Sequence, residues 1–365
     1  MYSVPLPPSK SLANRTLTSL AVAGKSLPDP GPDWSEDMAA MHRVLSGKTD
    51  AGHAGTAFRF GMAYWAAQKG VKTHLTGSKR LLERPIAPLA EALQSLGAQL
   101  KQRKDGSWDI EGATLTGGKL AVDASISSQF ISALLLVETL MKKKLQLQLQ
   151  GEPVSAPYIS MTEEVRQNPQ WPVESDWSAG IVWALRASCM GESVRLQGLG
   201  RRSIQGDSAW SRWGLNLGFS ASYEPEGLVI RGLPSRPTHP LELDLKDTPD
   251  LTQPIVAGGL LMRRSVKLTG LETLNGKEIP RLDALKEALK MLGLDVKDSG
   301  PTSLEFDAKA WTPSETPLVV DAQDDHRMAF FWALVGLEQP IELASEACVA
   351  KSYPLFWSSW RAFAP

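Results

Sequence analysis

AGTAFRFGMAYWAA (Ala54–Ala67) is apolar on nearly every side of a helical turn, opened by Gly-Thr and interrupted by a single cation, Arg59. A helix without a polar face belongs inside a protein rather than on its surface. The same pattern, a small or polar turn followed by an Ala- and Leu-rich helix, recurs along the chain. The other copies are SKSLANRTLTSLAVA from Ser9, SSQFISALLLVETL from Ser127, WSAGIVWALRAS from Trp177, LTQPIVAGGLLM from Leu251 and DHRMAFFWALVGL from Asp325. Six copies in order predict six repeated units. A second, amphipathic helix type recurs as IAPLAEALQSLGAQL, AWSRWGLNLGFSASY and RLDALKEALKMLGLDV, with Gly97, Gly218 and Gly293 placed as left-handed C-caps. Strand-like runs lie between: THLTG, ATLTG, LQLQLQG, VRLQG and VKLTG, of which Leu145–Gln150 alternates with period two. The expected fold is therefore α/β, with two lobes of three units, buried helices and outer sheets. The Pro-bearing polar stretch RQNPQWPVE (Arg166–Glu174) is the candidate crossover, and a cleft between lobes is the expected ligand site.

Composition narrows the function. The 365 residues are 42% apolar and 22% charged, which excludes disordered and fibrous classes. Lys+Arg 39 against Asp+Glu 40 leaves a net charge of −1, so neither nucleic acid nor an anionic membrane is an expected partner. Cys189 and Cys348 lie far apart with no His or Cys at ligand spacing, which argues against a disulfide framework or a zinc site. MYSVPLPPSKS lacks the build of a signal peptide, and the apolar run Phe130–Met141 is too short to span a bilayer; a cytoplasmic protein is expected. Twelve Trp are read as core filling.

The helix starts carry more than caps. Lys10-Ser11, Gly55-Thr56, Ser127-Ser128-Gln129 and Asp325-His326-Arg327 each open a buried helix, where free N–H groups and the dipole favour an anion. Cations recur at Lys10, Arg15, Arg59, Arg84, Lys277, Arg281, Arg327 and Lys351. Arg15 and Arg59 sit within apolar helices and require an anionic partner, from the protein or a ligand. Asp250, before LTQPIVAGG, and Glu278, after Lys277, either cap helices or serve proton transfer. Gly24-Lys25-Ser26 ends like a P-loop, but Ser19 stands where its first Gly belongs. HExxH, GxSxG and paired CxxC are absent; His53 and His74 are scattered, and His326 reads as structural.

The motifs, taken together, resemble the EPSP synthase family of enolpyruvyl transferases over essentially the whole chain. The matching segments run in order: PPSKSLANR, AGTAFR, LTG…ERPI, SISSQFISALL, VSAPYI, SIQGD, PD (Pro249-Asp250), KEIPRL, DDHRMA and AKSYP. The resemblance implies two inside-out α/β barrels, one of residues 9–173 inserted into another of 1–8 plus 174–365, closing on substrates. It implies enolpyruvyl transfer from phosphoenolpyruvate to the 5-hydroxyl of shikimate 3-phosphate with release of phosphate. Lys10, Asp250 and Glu278 would be catalytic, with Lys277 beside Glu278. Lys10, Ser11, Arg15, Ser127, Ser128, Gln129, Ser155, Asp250 and Lys277 would hold shikimate 3-phosphate. Lys10, Gly55, Thr56, Arg84, Gln129, Arg281, Arg327 and Lys351 would hold phosphoenolpyruvate. No metal or organic cofactor is implied, and a monomer acting on small molecules is expected. Departures from the family pattern are Pro8 for a Gly, His53 for an Asn, Thr273 for an Asn, Asn275 for an Arg and Ile279-Pro280 for Thr-Asp. The alternatives are a catalytically impaired relative that binds a phosphorylated metabolite, or transfer to UDP-N-acetylglucosamine, an enzyme type that carries a reactive Cys missing from LTGSKRLLERP.

Overall fold

All six apolar segments are helices in the computed structural model, which describes residues 1–123, 127–151, 154–297 and 300–363. They span Lys10–Val22, Gly55–Ala66, Ser128–Leu136, Trp177–Met190, Thr252–Leu261 and His326–Val335. Every residue of Thr252–Leu261 and of His326–Val335 is buried, as the missing polar face required.

Parallel strand pairs bracket these helices, because a parallel pair needs a crossover that a helix can supply. Tyr2–Pro5 pairs with Ser193–Gln197 around Trp177–Met190, and Leu241–Asp244 pairs with Ser265–Thr269 around Thr252–Leu261. Leu318–Asp321 and Ile341–Ala344 flank His326–Val335; Gly118–Asp123 and Leu145–Gln150 flank Ser128–Leu136. A single parallel bridge, Asp50 to Thr76, does the same for Gly55–Ala66. Two of the pairs grow into four-stranded sheets by adding an antiparallel hairpin on one side, Phe219–Glu224 with Gly227–Gly232 and Val296–Lys297 with Leu304–Asp307. Strands such as Trp108–Glu111 and Leu304–Asp307 alternate buried and less buried residues, one face on the helices and one outward.

The chain forms two compact units, Met1–Pro7 with Glu174–Pro365, and Pro8–Val173. The discontinuous unit packs around Trp177, Trp183, Trp210, Phe330 and Phe356, and the inserted unit around Phe58, Phe60, Phe130 and Leu134. Most tryptophans thus fill cores; Trp177 against Trp210 and Trp183 against Trp360 each stand 5.2 Å apart between ring centres. Truncating one such ring to Ala would cost about 3–5 kcal/mol. No helix among the described residues is long and apolar enough to cross a membrane.

Two expectations fail locally. The segment beginning at Ala209 is no α-helix: Gly206–Trp213 winds as 3-10 turns. Buried Trp210 is anchored by its indole N–H on the Trp177 carbonyl (2.8 Å), Ser211 turns its hydroxyl onto the Ser208 carbonyl, and Gly214 lies against the Phe219 backbone. Those tertiary and side-chain bonds displace the regular turn. ATLTG is no strand either. Its amides go to helix-end carbonyls, Ala113 to Ala66 (3.0 Å) and Thr116 to Leu96 (2.8 Å), leaving the ladder to start at Gly118. Gly97 and Gly293 follow their helices with positive φ, 112° and 77°; Gly218 also takes a positive φ, 76°, but in a turn rather than at a helix end.

Candidate active site

In the inserted unit the starts of buried helices assemble polar side chains. Arg15, one turn into its helix, is 2% exposed, and its guanidinium donates to neutral oxygens. Nε donates to Thr162 Oγ1 (2.7 Å), Nη1 to the Ser11 carbonyl (2.8 Å), and Nη2 to Ser132 Oγ (3.3 Å) and the Tyr158 carbonyl (3.0 Å). The rings of Phe60 and Tyr158 lie 5.5 and 5.6 Å away. Burial without a carboxylate pulls this guanidinium down to about 10. Ser155, at the start of the Ala156–Gln167 helix that supplies Tyr158 and Thr162, is buried and held in the left-handed region at φ 55°, a strain of order 1 kcal/mol.

The Ser128–Leu136 helix is capped by Ser127, whose hydroxyl accepts from the Gln129 amide (3.3 Å), while Ser128 is buried behind it. Gln129 Oε1 in turn accepts from Arg59 Nη1 (2.7 Å), whose Nη2 donates to the Pro85 carbonyl (2.9 Å). Gly55 opens the helix that carries Arg59. A Cβ there would stand 2.8 Å from Arg84 Nη1 and 2.9 Å from Arg59 Nη1, so two guanidinium ends converge on that N-terminus because residue 55 has no side chain. Lys10 Nζ lies 3.1 Å from buried Asp37, a partner that no motif in the sequence indicates.

In the discontinuous unit the charges around Arg281 compensate one another. Arg281, 2% exposed, grips three carboxylates: Asp325 Oδ2 from Nε (2.8 Å), Asp250 Oδ1 from Nη1 (3.1 Å) and Glu278 Oε2 from Nη2 (2.9 Å). Burial works against its charge, but Asp325, Glu278 and Asp250 together overcome that and hold it far above the ordinary arginine range. Arg327 Nη2 donates to Asp250 Oδ2 (3.3 Å) and Nη1 to the Ser178 carbonyl (3.1 Å). Lys351 Nζ stands 3.2 Å from Glu278 Oε1. Lys277 Nζ stands 3.6 Å from Asp250 Oδ1, so Asp250 as well as Glu278 has a lysine beside it.

Asp325 joins two arginines at once. Its Oδ1 accepts from the Arg327 and Met328 amides (2.8 and 3.3 Å), capping that helix, while Oδ2 holds Arg281. The sequence places it at a helix start without a role in the site. Behind Arg327, fully buried Asp207 accepts from the Ser178 hydroxyl; burial, then the charge of Asp250, raises its carboxyl to about 7. His326 is buried with its ring edge-on to Phe330, consistent with a structural part, whereas His53 is exposed and His74 pairs with Asp109 (3.2 Å). Both cysteines are free thiols pushed up to about 12 by burial. Among the described residues, no group of three or more His, Cys, Asp or Glu is placed to hold a metal ion.

The structure thus gathers the predicted residues into two sets. Lys10, Ser11, Arg15, Gly55, Thr56, Arg84, Ser127, Ser128, Gln129 and Ser155 belong to one unit, and Asp250, Lys277, Glu278, Arg281, Arg327 and Lys351 to the other. Of the matched SISSQFISALL segment, Ser125 and Ile126 lie outside the described residues.

A family model described as EPSP synthase (3-phosphoshikimate 1-carboxyvinyltransferase) matches residues 41–168 and 163–360. The 3-phosphoshikimate 1-carboxyvinyltransferase of Bacteroides fragilis is 33% identical, covering 98% of this chain and 94% of its own. That of Methanospirillum hungatei is 30% identical over 79% and 72%. Among solved structures, EPSP synthase from Acinetobacter baumannii superposes with a TM-score of 0.74 at 18% identity, covering 99% of this chain and 95% of that one. The enolpyruvyl transferase NikO from Streptomyces tendae gives 0.73 at 13%, over 99% and 94%. These structures carry the expected two-lobed α/β fold with helices inside. With near-complete coverage by relatives at 30% identity or more, and a family match spanning both units, this chain belongs to the EPSP synthase family.

Proposed function

We propose that this chain transfers the enolpyruvyl group of phosphoenolpyruvate to the 5-hydroxyl of shikimate 3-phosphate and releases phosphate. The observation that carries the chemistry is Arg281, which holds Asp250 and Glu278 on its two terminal nitrogens and so keeps two acid–base groups beside one another. The buried, carboxylate-free Arg15, with Ser11, Ser127, Ser128, Gln129 and Ser155, suits a phosphorylated hydroxy acid. Arg84, the Gly55-Thr56 helix start, Arg281, Arg327 and Lys351 suit the second, smaller polyanion, and Lys10 serves both. Two repelling anions are brought together only where cations neutralise them away from water.

In the scheme, the 5-hydroxyl oxygen bonds to C2 of phosphoenolpyruvate and its proton passes to Asp250, which pairs with Lys277 and Arg327. Glu278 delivers a proton to the methylene C3, giving a tetrahedral ketal. The same carboxylate then takes a proton back from the methyl group as the C2–O bond to phosphate breaks, and the proton held by Asp250 leaves with the phosphate. Side chains do the charge work, so the scheme calls for no metal or organic cofactor. A net charge of −1, with no basic surplus, suits small-molecule substrates rather than nucleic acid or a membrane surface.

Phosphate release from the two purified substrates tests this. Wild type should turn over, and Glu278→Gln should lose about 10³-fold in kcat while still binding shikimate 3-phosphate. Binding of both substrates by wild type without any release would replace the transferase with a metabolite-binding relative.

A further inference from the structure

The helix Arg281–Met291 begins without a cap of its own. Its N-cap residue is Pro280, which has no side-chain acceptor and makes no capping bond. The two orphan amides that a capping side chain would take are satisfied by a residue upstream. Asn275 Oδ1 accepts from the Leu282 amide (3.0 Å) and from the Asp283 amide (3.4 Å). Asn275 belongs to the 3-10 turn Leu274–Gly276, so this oxygen closes a short loop whose two ends are the turn and the helix start. Between them lie Lys277 and Glu278, and the first residue of the helix is Arg281. Ile279 packs on the core from the middle of the loop, and Leu274 is fully buried at its start.

We propose that Asn275 is a positioning residue. Its side-chain oxygen substitutes for the cap that Pro280 lacks, and so fixes the loop that presents Lys277 to Asp250 and Glu278 to Arg281 and Lys351. The proposal rests on the transferase reading for its kinetic readout, since a carboxylate displaced by about 1 Å from its proton-transfer geometry can lose up to about 100-fold in rate. A residue that merely supported the fold would change thermal stability and the active fraction, without changing turnover per working site.

The test compares wild type, Asn275→Ala, Pro280→Ser and the double variant, with sites counted by shikimate 3-phosphate titration. Asn275→Ala should lower kcat per site about tenfold, with the KM for phosphoenolpyruvate within about twofold. Pro280→Ser alone should leave kcat near wild type, and in the Asn275→Ala background it should restore kcat to within about twofold, because a serine at that position can take the same two amides. Unchanged kcat per site in Asn275→Ala, or a double variant as slow as the single, overturns the proposal. Hydrogen exchange tests the same tie independently of the reaction: the Leu282 and Asp283 amides should exchange about tenfold faster in Asn275→Ala. Should wild type release no phosphate, the transferase reading falls, while that exchange still decides the tie. Faster exchange upholds it, and unchanged exchange overturns it.

Discussion

Arg15 and Arg281 are both about 2% exposed, one in each unit, and their surroundings are opposite. Arg15 meets a hydroxyl pair and two carbonyls; Arg281 meets three carboxylates. Burial pulls the first down to about 10 and the carboxylates lift the second well above its usual range. A buried cation left to neutral partners is costly unless something outside the fold completes it. In the proposed function an anionic ligand completes Arg15, whereas Arg281 sits in a compensated network that keeps Asp250 and Glu278 beside one another.

Stability measurements probe this contrast first. Arg281→Met strips three carboxylates of a shared partner and should destabilise by about 3–5 kcal/mol, or about 10 °C in Tm. Arg15→Met removes an uncompensated charge and should leave Tm within about 3 °C or raise it. Equal losses in a thermal scan would erase the distinction between the two arginines. Gly55→Ala comes next. The nearest atoms the added methyl meets are the guanidinium ends of Arg84 and Arg59, so Tm should hold within about 2 °C while the KM for phosphoenolpyruvate rises about tenfold. An unchanged KM would remove those two guanidinium groups from the site.

The smallest effect concerns Asp207, the buried acid behind Arg327. Its carboxyl is raised from 3.8 to about 7, chiefly by burial and then by Asp250, against the Ser178 hydroxyl bond and Arg327. Between about pH 4 and pH 7 the folded state holds a proton that the unfolded chain has released. The stability it contributes is complete below pH 4 and disappears as pH rises through about 7. Asp207→Asn should therefore flatten the fall in Tm between pH 5 and pH 8 by a few degrees. A slope identical to wild type would show that Asp207 is already ionised.

Much of this was legible in the chain because the decisive signals are local. Helices apolar on every side have one place to go, and the glycines at 97, 218 and 293 stand where only a positive φ fits. Arg15 could be read as a buried cation in want of an anion because it lies in one of the six recurring helices that the repeat buries. The pairing of charges was not legible. Lys277 on Asp250 and Lys10 on Asp37 each join residues 27 apart, and the fold, with no periodicity to announce it, decides them. Gly206–Trp213 misled for a similar reason: Trp210 bonds to a carbonyl 33 residues away, which no helical pattern foretells.

The most direct test is a calorimetric titration of shikimate 3-phosphate into wild type, Arg15→Met and Lys351→Met. Affinity should be about 100-fold weaker in Arg15→Met, from the loss of charged hydrogen bonds in a dry site, and within about threefold of wild type in Lys351→Met. Undiminished binding by Arg15→Met would contradict the assignment of the inserted unit's buried cation to an anionic ligand.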